Sequence, residues 1–243
     1  MYIDLHVHSK ITRKVEFDIK HFENMIKVAK LNGLTAIALT EHFDVINFKD
    51  VYEKIKEKYE YKYDYFDVNG LKVFSGIEID VKGNANLLVI GNLENVYELR
   101  DMFPEEISEE DYIEINELNR IAKEKNMLII GAHPFRKKHP LYTYDRLYVT
   151  GLDAVELNGK DILLKDKMYE YAEDLNMPIV AGSDAHTIFQ IGTVKTHIEK
   201  ECKTAMELKE EIVNNRFNIK ISKFANFKNI ISKKYKKYVL NKK

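Results

Sequence analysis

Residues 2–9, Tyr-Ile-Asp-Leu-His-Val-His-Ser, set the pattern for the whole chain: a short apolar, β-branched run closes on polar side chains able to hold a metal. Side chains of a strand alternate between faces, so His6 and His8 point the same way. Two imidazoles on one face at that separation can chelate one divalent ion. A lone His-x-His carries little weight; its company along the chain carries more.

The scheme of apolar strand and polar end recurs. Strand candidates span residues 2–7, 36–40, 72–79, 86–90, 128–132, 154–157, 179–181 and 193–198. Between several of them lie segments of helical period. Residues 19–32 place Phe22, Ile26, Ala29 and Leu31 near one face, with Gly33 as a C-cap. Residues 108–126 align Ile115, Leu118, Ile121 and Ala122, and residues 160–176 repeat the scheme before Pro178. Apolar strands alternating with amphipathic helices predict a parallel sheet buried on both faces. No repeat, linker or boundary interrupts this before about residue 222. The expectation is one α/β barrel over residues 1–222, followed by a basic C-terminal tail or helix over 223–243.

The chain has 243 residues, the size of a single α/β barrel, with 45% apolar and 32% charged residues. That composition excludes a disordered or fibrous protein. No apolar run is long enough to span a membrane, and the first residues lack the form of a secretory signal. Cys202 is the only cysteine, which excludes an intramolecular disulfide and a multi-cysteine zinc site. A cytoplasmic protein is expected. The net charge of -1 hides an asymmetry, because residues 223–243 carry eight lysines and no acid, leaving -9 for the rest. Such a tail could serve nucleic-acid or membrane contact; it is read instead as a solvated helix with Phe224, Phe227, Ile231, Tyr235 and Val239 at spacings of three to four. The aromatic run Tyr52, Tyr59, Tyr61, Tyr63, Tyr65 and Phe66 is read as cover for a helix–strand junction rather than as a base-stacking platform.

The other strand ends repeat the chemistry of the first: Thr40-Glu41-His42, Glu78 inside Phe-Ser-Gly-Ile-Glu-Ile-Asp, Ala132-His133-Pro134, Glu156, and Gly182-Ser183-Asp184-Ala185-His186. A buried carboxylate such as Glu78 requires a cation or donors. In a parallel barrel the C-terminal strand ends converge on one mouth, where catalytic groups gather. Mixed imidazole and carboxylate suit Zn²⁺, Mn²⁺ or Fe²⁺. Seven candidates (His6, His8, His42, Glu78, His133, Asp184 and His186) exceed one tetrahedral site, so more than one ion is expected.

In order and spacing, Asp-Leu-His-Val-His-Ser, Thr-Glu-His, Gly-Ile-Glu-Ile-Asp, Ala-His-Pro-Phe-Arg, Asp-Ala-Val-Glu-Leu-Asn-Gly and Gly-Ser-Asp-Ala-His resemble the PHP (polymerase and histidinol phosphatase) family over about residues 1–198. The resemblance implies a distorted (β/α)7 TIM-like barrel whose two or three metal ions serve phosphoester hydrolysis. It implies one site from His6, His8, Glu78 and Asp184, a second shared by Glu78 and His133, and a third from His42 and His186. Arg136 is expected to clamp phosphate, with Asp184 beside it in catalysis, and Glu156 and Asn158 to order the ligands by hydrogen bonds. A phosphorylated small molecule such as histidinol phosphate is the expected substrate, with an oligonucleotide, or a module without catalysis, as alternatives. Two departures stand out. Asn86 occupies a place where the family commonly has histidine. Arg13 and Lys14 fall where a third-site histidine or aspartate is usual, with Glu16 or Asp18 as substitutes if the loop bends back.

Overall fold

Among residues 1–241, which this computed structural model describes, eleven strands and eight α-helices form one layered arrangement. They are β1 (Tyr2–Val7), α1 (Ile19–Leu31), β2 (Ala36–His42), α2 (Phe48–Lys56), β3 (Tyr61–Lys62), β4 (Tyr65–Val68), β5 (Leu71–Asp80), β6 (Asn86–Ile90), α3 (Leu93–Asp101), α4 (Ile115–Glu124), β7 (Leu128–Gly131), α5 (Arg146–Val149), β8 (Ala154–Asn158), α6 (Lys165–Leu175), β9 (Ile179–Gly182), β10 (Val194–Ile198), α7 (Ala205–Val213), β11 (Phe217–Ile221) and α8 (Ala225–Leu240).

The sheet order is β11-β10-β1-β2-β5-β6-β7-β8-β9, with β3 and β4 as a flap beside β5. β1, β2 and β5 run parallel, as do β7, β8 and β9. The expectation of a wholly parallel sheet fails at one edge, where β10 is antiparallel to β1 and β11 to β10, and in the middle, where β6 is antiparallel to both neighbours. At β6 the cause is local. The Val81 N–H donates to the Ala85 carbonyl at 2.9 Å and Gly83 takes φ +87°, so the chain reverses directly into β6 without a crossover helix. Asp80 therefore faces Asn86, and the first residue of β6 lies at the end where β5 finishes.

β1 and β9 come together at the mouth. The His8 N–H donates to the Ala185 carbonyl at 2.8 Å, and Val7 and Ala185 form a parallel bridge. Asp4 fastens the join: its carboxylate accepts from Ser183 N–H (2.8 Å), Ser183 Oγ (2.5 Å) and Gly192 N–H (2.8 Å). Burial raises its pKa to about 6, partly offset by these hydrogen bonds. The result is a distorted, nearly closed TIM-like barrel. Both faces of β1, β2 and β5 to β9 are almost wholly buried, as the apolar runs imply, whereas β11 is largely exposed. On β2, Ala36 and Ala38 pack with Leu88, Ile130 and the α7 residues Leu208 and Ile212, while Ile37 and Leu39 pack beneath the outer helices.

Two helical expectations are corrected. Leu31 is 78% exposed, and the buried stripe of α1 is Phe22, Met25, Ile26 and Ala29. The helix expected from residue 108 starts at Ile115, because the Asp111 carboxylate accepts from Ser108 and closes a short 3-10 turn, and extended Ile113 bridges Val81. On α8 the buried residues are Ala225, Asn229 and Ser232, whereas Phe224 and Phe227 lie exposed. Lys242 and Lys243 of the basic tail lie outside the described residues. The tyrosine-rich run is packing: Tyr52, Tyr65 and Phe66 are buried, and the Tyr52 hydroxyl meets the Leu39 and Gly76 carbonyls.

Candidate metal centre

Every strand end singled out by its histidine or acid opens on the same mouth, and there the side chains converge. His6 and His8, on one face of β1, bring their Nε2 atoms to 3.0 Å. Each ring is held from behind by a buried carboxylate: Glu156 lies 2.8 Å from His6 Nδ1 and Glu41 lies 3.2 Å from His8 Nδ1. With the proton of each ring given to its carboxylate, both Nε2 atoms present lone pairs to the same space. Glu78 Oε2 stands 3.4 and 3.3 Å from these two nitrogens, and Asp184 Oδ1 stands 3.9 and 3.5 Å away. In that tautomer these four atoms are all acceptors, with the Lys160 ammonium beside them, 2.7 Å from Asp184 Oδ1. Glu78 Oε2 is buried and receives no well-aligned hydrogen bond, although His42 Nδ1 lies 2.8 Å away. A cation answers that arrangement, and imidazole with carboxylate is a donor set for divalent transition metals.

The cluster extends to both sides. His133 Nε2 lies 3.2 Å from Glu78 Oε1, the oxygen on the far side of that carboxylate. His42 Nδ1 is 2.8 Å from Glu78 Oε2, and its ring stacks on His8 with centroids 4.3 Å apart. Ligand atoms of His8, His42 and His186 lie within 4.8 Å of one another, as do those of His6, His8 and Asp184. The seven metal candidates of the sequence thus form one cluster: Glu78 reaches His6, His8, His42 and His133, and Asp184 and His186 join through His8.

Backbone strain supports the gathering. His133 (φ 30°) and Asp184 (φ 52°) both adopt left-handed conformations immediately beyond their strands. The His133 N–H is secured by Glu156 Oε2 at 2.9 Å. Gly182 lets β9 approach β1: a Cβ there would stand 2.4 Å from Glu156 Oε1 and 2.5 Å from His6 Cβ.

The charges are strongly coupled. Burial pushes the carboxyls of Glu78 and Asp184 up, yet His42 and His6 for the first, and Lys160 and Arg136 for the second, hold both well below the usual range. Burial disfavours the charged forms of His6 and His8, but Glu156, Glu78 and Asp184 around the first, and Asp184 and Glu41 around the second, raise both. His42, His133 and His186 are lowered, chiefly by burial.

Arg136 projects from the loop after β7. Its guanidinium donates to Asp184 Oδ2 (2.8 Å), Asn158 Oδ1 (3.1 Å) and Asp161 Oδ2 (3.0 Å), and a quarter of the side chain is exposed at the mouth. The two departures also resolve. Asn86 gives its amide N–H to Asp80. Arg13 salt-bridges Asp44 (2.6 Å) and Asp80 (3.2 Å) and lies 3.1 Å from His42 Nδ1. Glu16 and Asp18 do not bend back: the first accepts from Asn47 and the second caps α1.

A family model described as PHP domain matches residues 4–140, and a second, described as PHP-associated, matches residues 165–217. The chain belongs to the PHP family. No curated protein sequence matches it closely enough to count as a relative. Among solved structures it is similar to PsfC from Pseudomonas syringae PB-5123 (TM-score 0.85, 19% identity, 98% of each chain covered). It is also similar to the lesion-specific endonuclease PfuEndoQ from Pyrococcus furiosus (TM-score 0.68, 22% identity), covering 88% of this chain but 56% of that one. A third is a two-domain protein from Bacteroides vulgatus containing a predicted PHP-like metal-dependent phosphoesterase (TM-score 0.60, 17% identity, 91% and 65% covered). At these identities the likeness establishes the fold. Family membership and the buried imidazole–carboxylate clusters together fit a centre for divalent metal ions.

Sequence reasoning about this PHP barrel missed four residues. Glu41 accepts from Ser9 N–H (3.0 Å) and Ser9 Oγ (2.6 Å) besides holding His8. Asp4 closes the barrel. Asp80 gathers Arg13, Asn86 and Tyr112. Lys160 sets its ammonium 2.7 Å from Asp184 Oδ1. For the three acids a signal existed, since each lies in or ends an apolar strand; for Lys160 none did.

Proposed function

We propose that the chain hydrolyses a phosphomonoester of a small metabolite, at a centre holding two or three Zn²⁺, Mn²⁺ or Fe²⁺ ions. The observation that carries the reading is the convergence of Glu78 Oε2 and Asp184 Oδ1 to within 4 Å of both His6 Nε2 and His8 Nε2. His6, His8, Glu78 and Asp184 would hold one ion, Glu78 and His133 a second, and His42 and His186 a third. When bound, such ions supply Lewis acidity toward phosphoryl oxygens and bring the pKa of water toward ~7.

The chain's own residues do the rest. Asp184, kept ionised by Lys160 and Arg136, accepts a hydrogen bond from the attacking water and orients it. Arg136, held at the mouth by Asp184, Asn158 and Asp161, turns its remaining N–H donors to the non-bridging oxygens of the phosphate and offsets the charge that develops there. Glu156 and Glu41 hold the protons of His6 and His8 on Nδ1 and so keep Nε2 available. Histidinol phosphate is a reasonable first substrate in this class, and the reading places the protein in the cytoplasm. It treats residues 1–222 as the barrel domain and 223–243 as a basic C-terminal helix. An endonuclease Q structure in complex with a 27-mer duplex bearing an abasic lesion, at 22% identity, makes an oligonucleotide the alternative substrate.

The test is a phosphatase assay of metal-reconstituted protein, wild type against His8→Ala and Asp184→Ala, over a panel of monoesters including histidinol phosphate and a short oligonucleotide. Turnover of a monoester that falls by at least about 10²-fold in both variants supports the reading. Equal rates in all three proteins remove it, and turnover of the oligonucleotide alone replaces the substrate.

A further inference from the structure

We propose that the cleft between the loop after β1 and the C-terminal half of α8 receives the leaving group of the substrate, an apolar or aromatic body bearing a second anionic group. The inference rests on the phosphoesterase reading and names the substrate class for the same site.

The cleft holds about 580 Å³, within the range of small-molecule sites. His42 and His186 of the metal centre form part of its lining, so it adjoins the place where a phosphoryl group would react. Val15 and Leu240 contribute apolar wall, and Lys14 and Lys236 bring ammonium groups on aliphatic stems. Arg13 also borders the cleft, but its guanidinium is taken by Asp44 and Asp80. Lys14 and Lys236 have no carboxylate partner within ion-pair distance among the described residues. A cavity with greasy walls and unpaired cations matches a ligand with a greasy body and a negative end.

Lys236 is not a freely swinging surface lysine. α8 is fixed to the barrel by Asn229 Nδ2 donating to the Gly159 carbonyl (2.6 Å), by the Ser232–Thr187 hydroxyl pair (2.7 Å), and by Tyr235 packing edge-on against Phe189 (5.3 Å). Lys236 follows one helical turn after Ser232 and one residue after Tyr235, so the same contacts aim it. It is half-buried, and burial together with the like charge of Lys160 lowers its pKa. An anion in the cleft relieves that repulsion.

The experiment uses the full-length, Mn²⁺-loaded protein and three non-hydrolysable probes: methylphosphonate, phenylphosphonate and 4-carboxyphenylphosphonate, titrated calorimetrically. Phenylphosphonate is expected to bind several-fold more tightly than methylphosphonate, and the carboxylated probe about tenfold more tightly again. Lys236→Gln should erase most of the last margin, whereas Lys233→Gln, on the exposed side of the same helix, should leave it intact. Equal binding of the two aryl probes to the wild type, or a margin untouched by Lys236→Gln, overturns the inference. Hydrolysis of the matching phosphate esters is followed separately. A margin without turnover upholds the cleft and removes the phosphoesterase reading; turnover without a margin does the reverse.

Discussion

Replacing Glu156 by Gln preserves the shape of a fully buried side chain and removes its charge, and the local geometry forces a definite outcome. Oε1 lies 2.8 Å from His6 Nδ1; Oε2 receives the His133 N–H at 2.9 Å and Asn158 Nδ2 at 3.0 Å. Burial pushes the Glu156 carboxyl up, but the neighbouring charge and hydrogen bond of His6 and the charge of His133 keep it below its ordinary value, so two acceptor oxygens meet three donors. An amide offers one acceptor and one NH₂. If the NH₂ faces His6, the imidazole must move its proton to Nε2, which can then no longer bind an ion. If it faces the other way, it confronts the His133 N–H and Asn158, leaving buried donors unpaired at about 1–3 kcal/mol each. Either way the affinity for the first ion should fall by about 10–100-fold, roughly 1.4–2.7 kcal/mol. Competition against a chromogenic chelator measures that loss, and nitrogen NMR of the imidazoles reports the tautomer of His6. Unchanged affinity with His6 Nε2 still unprotonated would refute the reasoning.

Gly182→Ala drives a methyl against Glu156 and His6; overpacking of about 1–3 kcal/mol should lower the melting temperature by a few degrees to about 10 °C, together with metal content, and an unaltered melt would contradict it. Asn86→His should raise metal stoichiometry or resistance to chelator by restoring a nitrogen donor where PHP proteins commonly carry one; a wild type already holding three ions, unchanged in the variant, refutes this. Because His6 and His8 titrate above the ordinary histidine value without metal, an ion must displace protons from them; affinity should therefore rise with pH through those raised values and weaken below them, with proton release visible as buffer-dependent heats, and zero release would count against the site. Burial pushes the Cys202 thiol up to about 11, so the native protein should resist a thiol reagent at pH 8 that modifies the unfolded chain within minutes.

Much of the centre was legible because a strand's alternation fixes which side chains share a face. His6 and His8 needed only that rule, and the acids at Glu78 and Glu156 declared themselves by sitting in apolar strands where an unpaired charge is costly. Asp4 and Glu41 carried the same signal. Their tasks depend on contacts 179 and 33 residues away, to Ser183 and His8, which no local pattern encodes. The antiparallel β6 was illegible for another reason: an apolar run reads alike in both directions, and only the hairpin at Gly83 sets its sense.

By itself the sequence determined the strands around the mouth, the barrel class and the residues that line the mouth, because periodicity, burial and the chemistry of side chains act over a few neighbouring positions. Tertiary structure alone decided which oxygen faces which nitrogen, that Arg13 turns to Asp80 and Asp44, that Lys160 reaches Asp184, and that α8 docks by Asn229, Ser232 and Tyr235. Those outcomes are fixed by contacts between distant segments, where distances of a few tenths of an ångström separate a hydrogen bond from a clash, and the order of residues along the chain does not carry such distances.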